Sequence, residues 1–254
     1  MQVKDLQLKG IARVVLLVLL LSKSAFSQTR GFVSVREYAE RIYVTENGSG
    51  TKSGDSWENA MDSLQLAIAI ANENYNTYGN RTDVWVAEGT YYGDSIASNN
   101  AFTILAGVNV YGGFAGTETS VEERNIDVHP TILDGQNVQR VLGQLTDFTD
   151  STMTIWDGFI IEKGRESVEH KGGGVYLRRY GTLRNCIIRN NTDSGSSASG
   201  GGVYLAYGVL ENCEIYGNSL IGSTLYGGGV YSTGGSLIQG NVYNHSLVGG
   251  YSDF

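Results

Sequence analysis

Proline is almost absent from this sequence, with one residue in 254, and this scarcity excludes collagen-like chains and proline-rich linkers. Cysteine is scarce too. Cys186 and Cys213 form no CxxC pair or Cys/His cluster, so neither a disulfide scaffold nor a zinc site of that type is predicted. Glycine, by contrast, is abundant at 35 residues. That content favours many short strands joined by tight turns, where a positive φ is often needed.

Long apolar segments are also missing, and the amino terminus has a run of only eight residues, Val14–Leu21. A membrane-spanning helix needs about 20 apolar residues, so this run is too short to cross a bilayer. Basic residues precede it, and small residues, Ala25 and Ser27, follow at the −3 and −1 positions of a cleavage site. The pattern predicts a signal peptide over residues 1–27, removed before Gln28. We therefore expect an exported protein, extracellular or at the outer membrane or cell surface, with no transmembrane segment in the mature chain.

The chain has no excess of basic residues, since 18 Lys and Arg stand against 26 Asp and Glu and the net charge is −8. Removal of residues 1–27 takes away four basic residues and one acidic residue, which changes the net charge to −11. A protein this acidic is not expected to bind nucleic acid or an anionic membrane surface.

The sequence does contain an internal repeat of roughly 27 residues. A glycine-rich string occurs three times, with starts 28 and 27 residues apart: Gly172–Leu177, Gly200–Leu205 and Gly227–Ser232. A second string follows each copy at a strict spacing of 27 residues: Leu183–Ile188, Leu210–Ile215 and Leu237–Val242. Both strings alternate apolar and polar residues between glycine and asparagine turns, which is typical of short β-strands.

A repeat of this size cannot bury its apolar face alone, but stacked repeats can, with strands about 4.8 Å apart. The alternation predicts inward side chains at Val175, Leu177, Leu183, Cys186 and Ile188, and outward ones at Tyr176, Arg184 and Arg189. Equivalent inward residues should form ladders: Leu183/Leu210/Leu237, Cys186/Cys213/Gly240 and Ile188/Ile215/Val242. A propeller blade needs about 40 residues, so the period argues against a propeller. The predicted fold is all-β, a right-handed parallel β-helix (solenoid) of about six coils over residues 83–246, with an N-terminal capping helix.

Residues 56–72 supply that helix, because their apolar residues follow a helical period: Trp57, Ala60, Met61, Leu64, Ala67, Ile68 and Ala71. Asp55 or Ser56 can serve as its N-cap. A lone amphipathic helix here would cover the open apolar end of the first coil. We predict a linker over residues 28–41, an N-terminal cap over residues 42–82 that includes the helix, and a tail over residues 247–254. Either the tail folds over the last coil or the sequence is the front part of a longer protein.

Four strings ahead of the repeats carry a family resemblance: GTKSGDSWENA at 50–60, VWVAEGTY at 84–91, YGGFAGTE at 111–118 and TILDG at 131–135. Together with the repeats, they resemble a family of secreted β-helix proteins that is abundant in Bacteroidetes. The repeats are similar to those of chlamydial polymorphic outer-membrane proteins, and the implied fold is that of the pectate-lyase-like superfamily. The resemblance spans about residues 42–246. It implies an adhesin-like protein of the surface or the medium, without supplying a means of attachment.

Pectate-lyase-like enzymes bind Ca²⁺ through clustered carboxylates, whereas the acidic residues here are dispersed: Asp134, Asp157, Glu162, Glu166, Glu169, Glu211 and Glu214. Stacking by the period places Arg184 over Glu211, a cross-strand charge pair. It also places Asp157 near Asn185 and Asn212, where a Ca²⁺ site is the alternative to an asparagine ladder that satisfies backbone groups. None of the histidines has a nucleophile motif nearby: His129, His170 and His245. We therefore predict no catalytic residue, no metal site and no cofactor, with Ca²⁺ kept as the alternative.

An outward tyrosine recurs in each glycine-rich string, at Tyr176, Tyr204 and Tyr231. We expect these three ligand-binding candidates to form an aromatic stack, suited to contact with sugar rings or a partner protein. Alternatively, loops could cover the stack: Arg165–Lys171, Thr192–Ser199 and Leu220–Tyr226. The predicted function is non-enzymatic, an adhesin-like, glycan-binding or partner-binding surface protein. Two other readings stay open: a polysaccharide-degrading enzyme (lyase or glycoside hydrolase) and a fragment of a longer surface protein.

Overall fold

The computed structural model describes residues 39–93, 99–149 and 152–253, and for residues 250–253 it describes the backbone alone. The predicted signal peptide and most of the predicted linker lie outside the described residues. Within them, the chain is mostly β-strand and forms a parallel β-solenoid of about 6 turns, with one helix before the solenoid. The predicted fold class is confirmed.

The described residues form 22 strands. In chain order they are β1 Arg41–Val44, β2 Thr82–Ala87, β3 Gly89–Tyr92, β4 Asn100–Thr103, β5 Val108–Phe114, β6 Thr131–Asp134, β7 Arg140–Gly143, β8 Thr154–Asp157, β9 Phe159–Glu162, β10 Arg165–Glu166, β11 Val175–Leu177, β12 Gly181–Arg184, β13 Ile187–Arg189, β14 Thr192–Ser199, β15 Val203–Leu205, β16 Val209–Glu211, β17 Glu214–Tyr216, β18 Ser219–Tyr226, β19 Val230–Ser232, β20 Ser236–Ile238, β21 Asn241–Tyr243 and β22 Ser246–Asp253.

These strands build four sheets, and neighbouring strands pair in parallel. Sheet A has the order β1-β2-β5-β8-β12-β16-β20, and sheet B has the order β3-β6-β9-β13-β17-β21. Sheet C has the order β4-β7-β11-β15-β19, and sheet D the order β10-β14-β18-β22. After β1, the first two coils each give one strand to sheets A, B and C, and the next three coils give one strand to each of the four sheets. The last described coil gives β20, β21 and β22 to sheets A, B and D.

Equivalent residues of successive coils pair in register. Two predicted ladders appear in sheets A and B: Leu183/Leu210/Leu237 and Ile188/Ile215/Val242. The side chains predicted to point inward are all buried: Val175, Leu177, Leu183, Cys186 and Ile188. Cys186 and Cys213 are buried free thiols. Burial of apolar area contributes about 25 cal/mol per Å², so this continuous core is the main stabilising feature of the solenoid.

Asparagines form a second ladder inside the turn that follows sheet B, where Asn191 and Asn218 are fully buried. Asn218 Oδ1 accepts hydrogen bonds from the backbone N–H of Asn191 at 2.9 Å and from its Nδ2 at 3.0 Å. Asn218 Nδ2 donates to the Ile188 carbonyl at 3.0 Å, and Asn191 Oδ1 accepts from Gly164 N at 2.8 Å. A buried backbone group without a partner costs about 1–3 kcal/mol, so these amides fix each turn against the next.

Sheet D corrects the sequence prediction, which treated Thr192–Ser199 and Leu220–Tyr226 as loops. The structure has strands there, β14 and β18, which pair in parallel. Residues 247–253 of the predicted tail also belong to a strand, β22, which is paired with β18. β14 folds back on itself, because Asp193 Oδ2 accepts a hydrogen bond from Ser199 N at 2.8 Å. These serine-rich and glycine-rich segments lack strand alternation, and they become strands by pairing with their counterparts in the next coil.

The helix lies further along the chain than predicted. Helix α1 spans Leu64–Tyr78 rather than residues 56–72. Its N-cap is Ser63, whose side-chain oxygen accepts a hydrogen bond from the backbone N–H of Leu66 at 3.2 Å. Neither Asp55 nor Ser56 caps this helix.

Strand-like pairing of Met61 explains this difference. Met61 forms a parallel bridge with Val44 of β1. Its N–H donates to the Tyr43 carbonyl at 2.8 Å, and its carbonyl accepts from Thr45 N at 3.0 Å. The preceding residues Trp57–Asn59 form only one 3-10 turn. The apolar period that predicted an earlier helix therefore mixes residues of this turn with residues of α1.

Helix α1 packs against β2 at the start of the solenoid. Its apolar face is buried in the same core as the first strands: Leu64, Ala67, Ile68 and Ala71. Gly79 ends the helix with a φ of 71°, a left-handed conformation that favours glycine. This packing agrees with the predicted role of the helix in covering the first coil.

The YGGFAGTE string at 111–118 has a structural role. The Glu118 carboxylate folds back on its own loop and accepts three backbone N–H groups, at 2.7, 3.0 and 2.9 Å: Ala115, Gly116 and Thr117. Burial alone would raise the pKa of Glu118, but these hydrogen bonds outweigh it and the pKa is lowered. Phe114 stacks on Trp85, with ring centroids 4.7 Å apart. The string therefore builds a closed turn.

Candidate functional site

Tyr176, Tyr204 and Tyr231 lie side by side in sheet C, one each on β11, β15 and β19. The ring centroids are 5.3 Å apart between Tyr176 and Tyr204, and 5.2 Å apart between Tyr204 and Tyr231. The first pair meets edge to face at 86°, and the second is tilted by 51°. All three side chains are half-buried. The predicted stack is thus present, and we call these three residues the tyrosine column; its binding role stays a prediction.

Sheet D flanks the tyrosine column but does not hide it. Tyr226, the last residue of β18, lies 5.8 Å from the Tyr231 ring, measured between centroids. Lys171, which bridges to Ser199 of β14, approaches the column from the same segment of the coil. The three tyrosines remain half-buried, so sheet D covers the tyrosine column only in part.

Cations lie against the tyrosine column, and the sequence analysis missed them. Lys171 Nζ is 5.7 Å from the ring centroid of Tyr176 and 5.8 Å from that of Tyr204. Arg178 Cζ is 5.7 Å from the Tyr176 centroid, and its Nε pairs with Asp147 at 3.0 Å. Among the described residues, no carboxylate forms an ion pair with Lys171. Its charge is therefore balanced by ring faces and is available to a ligand.

A buried ion pair fixes the backbone beside Lys171. The Arg140 side chain is fully buried, and its Nε donates to the carbonyls of Lys171 at 3.1 Å and Gly172 at 3.0 Å. Its Nη2 pairs with Glu166 and, at 3.1 Å, with Glu169. A planar guanidinium suits such a site because its donors point in fixed directions. Arg140 precedes the regular repeats, so the period gave no signal of this contact.

A second carboxylate lies on the next rung of sheet D, where Asp193 pairs in register with Glu166. Asp193 is fully buried, and its Oδ1 has no hydrogen-bond partner among the described residues. Burial, the largest cause, and the nearby Glu166 carboxylate raise the pKa of Asp193, the Ser199 N–H lowers it, and the net pKa is about 6. The next rung carries Leu220, so the arch formed by sheet D changes from polar to apolar along the axis.

The turn between sheets A and B holds the predicted ladder of Asp157, Asn185 and Asn212. Asn185 Nδ2 donates to Asp157 Oδ1 at 2.9 Å, and Asn212 Nδ2 donates to Asn185 Oδ1 at 2.7 Å. Arg124 Nη2 donates to Asp157 Oδ1 at 2.7 Å, and Arg184 Nε to Oδ2 at 2.6 Å. Both oxygens of the buried carboxylate thus face cationic donors, which leaves it unsuited to Ca²⁺. Arg184 lies in register with Glu211, as predicted, but its ion pair is with Asp157.

A groove of about 350 Å³ opens beside this turn. Amide side chains line much of it: Asn185, Asn212, Gln239 and Asn241. The first three of these have φ values of 52°, 50° and 53°. Asparagine tolerates this left-handed conformation better than most residues, which accounts for its recurrence at the turn. Neutral amides supply hydrogen bonds but no general base, and the carboxylates that also line the groove are Asp127 and Glu214.

The histidines take separate structural positions. His129 Nδ1 lies 3.0 Å from Glu88 Oε2, and His170 Nδ1 lies 2.9 Å from the Ser194 carbonyl. Burial lowers the pKa of His245, which lies on the rung above Asn218. In the part of the chain that the structure describes, no group of three His, Cys, Asp or Glu could hold a metal ion.

Comparisons with protein-family models, with curated proteins and with solved structures give no match for this chain. Across residues 39–93, 99–149 and 152–253, no helix has the length and apolar character needed to cross a membrane.

Proposed function

We propose that this protein is an exported surface β-helix that binds a glycan along its tyrosine column and has no catalytic activity. The column carries the proposal, because it gives a linear ligand one aromatic contact per coil in three successive coils. Half-exposed aromatic rings suit contact with the apolar faces of sugars. The unpaired ammonium group of Lys171, between Tyr176 and Tyr204, adds a donor for a hydroxyl or an acidic substituent.

Sequence features support the cellular setting of the proposal. The charged start, short apolar run and small residues before Gln28 favour export. The strings shared with secreted β-helix proteins of Bacteroidetes, and repeats similar to chlamydial polymorphic outer-membrane proteins, favour an adhesin-like role at the surface. Fold resemblance alone does not assign a ligand, so the proposal depends on the column.

The enzymatic alternative lacks support from the geometry of the described residues. Removal of a proton beside a uronate carboxylate needs a positioned base and a cation that stabilises the developing charge. Of the three most buried carboxylates of the coils, Asp157 pairs with two arginines and Glu166 with Arg140, while Asp193 lies inside sheet D and accepts a hydrogen bond from Ser199 N. The carboxylates therefore stabilise turns, and none is left in a cluster facing solvent.

A binding experiment tests the proposal directly. The purified protein is applied to an immobilised panel of neutral and acidic glycans, and the strongest ligand is titrated against the variant with Tyr176, Tyr204 and Tyr231 all changed to alanine. We expect affinity to fall by about tenfold or more, since each lost aromatic contact is worth roughly 0.5–1.5 kcal/mol. The matched control changes Tyr216 and Tyr243 to alanine, because these rings stack 5.3 Å apart on sheet B.

Two results would contradict the proposal. Glycan binding that survives the triple change would show that the column is structural. Turnover is followed with pectin, alginate and heparin in the presence of Ca²⁺, by absorbance of unsaturated products and by reducing ends. Reproducible turnover that is lost on changing a single Asp or Arg would establish an enzyme instead.

A further inference from the structure

The groove beside the turn between sheets A and B runs along several coils, and we call it the amide groove. One wall is the amide ladder, with Asn185 and Asn212 on successive rungs. The floor is the outer face of sheet B, where Ile160, Ile187 and Glu214 pair in register and are half-buried. Strands β13 and β17 each have a paired strand on both sides, so neighbouring coils frame this part of the groove.

The loop before β6 forms the other wall. Ile126 packs against the turn at Gly158, where an added Cβ would lie 2.7 Å from Ile126 Cγ2. This contact places the next residue, Asp127, on the groove. The Asp127 N–H donates to Asn125 Oδ1 at 3.2 Å, whereas its exposed carboxylate forms no ion pair among the described residues.

The amide groove carries negative charge without a balancing cation. Glu214 accepts a hydrogen bond from the Tyr243 hydroxyl at 2.7 Å but, in the described part of the chain, has no cationic partner. No described Lys or Arg lines the groove. The nearest arginines of the turn, Arg124 and Arg184, are bound to Asp157 instead. Two carboxylates in one concave surface attract a cationic ligand.

We infer that the amide groove binds an extended, basic peptide segment of a partner protein, with one cationic side chain at Asp127 and another at Glu214. Lysine and arginine pack their aliphatic stems on apolar surface, which the isoleucines of the floor provide, while their charged ends reach polar groups. Asn212 Oδ1 has no partner among the described residues and can accept a peptide N–H. A neutral sugar would leave both charges uncompensated, and an acidic ligand would be repelled.

The spacing of the two carboxylates indicates the sequence of the peptide. Glu214 lies two rungs after Ile160 in sheet B, and Asp127 lies beside the coil that contains Ile160. With strands about 4.8 Å apart, the carboxylates are roughly 10 Å apart along the axis. An extended peptide advances about 3.3 Å per residue, so basic residues three positions apart match this distance. The tyrosine column lies on sheet C, so the inference does not depend on glycan binding there.

Fluorescence anisotropy on the purified protein tests the inference, with a labelled glycine peptide that carries two lysines three positions apart. We expect binding that weakens as salt is added. Asp127→Asn and Glu214→Gln should each weaken binding about threefold, and the double change about tenfold, because each removes one ion pair near the surface. The matched controls, Asp55→Asn and Glu73→Gln, remove the same charge at exposed positions that do not line the groove. They should leave the affinity unchanged.

A second set of measurements locates the peptide without removing a carboxylate. Ile187→Lys places an ammonium group on the floor of the groove and should abolish binding, whereas Ile221→Lys on sheet D is the control and should not. Urea unfolding establishes that each variant is folded. In nuclear magnetic resonance spectra, the side-chain amide signals of Asn185 and Asn212 should shift as the peptide is added.

Several results would overturn the inference. Equal losses in the groove variants and in the two control carboxylate variants would indicate only general attraction to an acidic protein. Absence of binding, or equal binding of a peptide with glutamates in place of the lysines, would contradict it as well. The triple alanine variant of the tyrosine column should bind the peptide as the parent does, and a loss there would place the peptide on sheet C instead.

Discussion

Replacing Asp193 with asparagine should raise the free energy of unfolding at pH 8 and leave it nearly unchanged at pH 4. Asp193 is buried inside sheet D, where only its Oδ2 has a partner, the Ser199 N–H at 2.8 Å. Burial, reinforced by Glu166 on the adjacent rung, raises its pKa to about 6. Asparagine keeps the shape and one acceptor but has no charge, so the variant avoids the cost of burying a carboxylate.

The size of the effect follows from the pKa. A value of about 6 in the folded chain, against the ordinary 3.8, corresponds to about 3 kcal/mol at roughly 1.36 kcal/mol per pH unit. The native state binds this proton more tightly than the unfolded chain does. The stability from the protonated group is therefore fully present below about pH 4 and is lost as the pH rises to about 6. Above that pH the variant should be more stable by up to about 3 kcal/mol.

Urea unfolding of both proteins, followed by circular dichroism at intervals from pH 4 to pH 8, measures this difference. For each protein the free energy of unfolding is plotted against pH, and one plot is subtracted from the other. The subtraction removes the contribution of carboxylates that act in the opposite direction, such as Glu118, whose pKa is lowered. Asp127→Asn is the control, since this exposed aspartate should give a difference near zero at every pH. A difference for Asp193→Asn that does not change with pH, or a variant less stable than the parent at pH 8, would refute the reasoning.

Three further predictions concern the core and export. Cys186 and Cys213 should resist a thiol reagent in the native protein, because both side chains are buried, and two thiols should react in denaturant; a count of zero would mean a disulfide. Intact mass should show cleavage after Ser27, and a secreted species that retains residues 1–27 would contradict it. Asn218→Ala should lower the free energy of unfolding by about 2–4 kcal/mol, because it leaves buried groups unpaired. The half-exposed Asn185→Ala should cost less, and equal losses would argue against the role of burial.

The coils could be predicted because the 27-residue period determines the stacking partner of every residue in the repeat. A repeat that returns at 27 residues fixes which residues stack, and alternation within each string fixes which of them point inward. Leu183 over Leu210 and Ile188 over Ile215 follow from counting alone. No pairing partner has to be guessed, since each strand pairs with its own counterpart in the next coil.

Two elements were wrongly predicted, and for different reasons. The helix was placed too early because Met61 has the right spacing for α1 but pairs with β1 instead, a tertiary contact that periodicity cannot indicate. Apolar alternation does not predict the strands of sheet D, because Thr192–Ser199 has almost no apolar residues. Their stability comes from stacking on equivalent segments, and from Asp193 and Ser199 closing the arch.

The candidate site also has one part that the sequence predicts and one part that it does not. The tyrosine column was predicted because Tyr176 recurs in each repeat, and its rings are about one strand spacing apart. Lys171 and Arg140 were not predicted to be part of the site, because neither residue recurs in the repeats. The Arg140 guanidinium donates a hydrogen bond to the backbone carbonyl of Lys171, just before the glycine string, and so fixes the backbone from which Lys171 reaches the column. A contact made once, between residues 31 apart in sequence, leaves no periodic signal.

In this molecule the backbone geometry therefore repeats from coil to coil, whereas the chemistry of the side chains does not. One position of sheet D carries Glu166, Asp193, Leu220 and Leu247 in successive coils, so the backbone repeats while the side chain changes from carboxylate to aliphatic. Charged groups gather in the earlier coils and are absent from residues 215–252. A catalytic site would need its charged groups brought together at one place, on one coil or on adjacent coils, whereas a ligand that lies along the axis needs one contact repeated across coils. The tyrosine column meets the second requirement, and it extends from the charged coils into the uncharged ones.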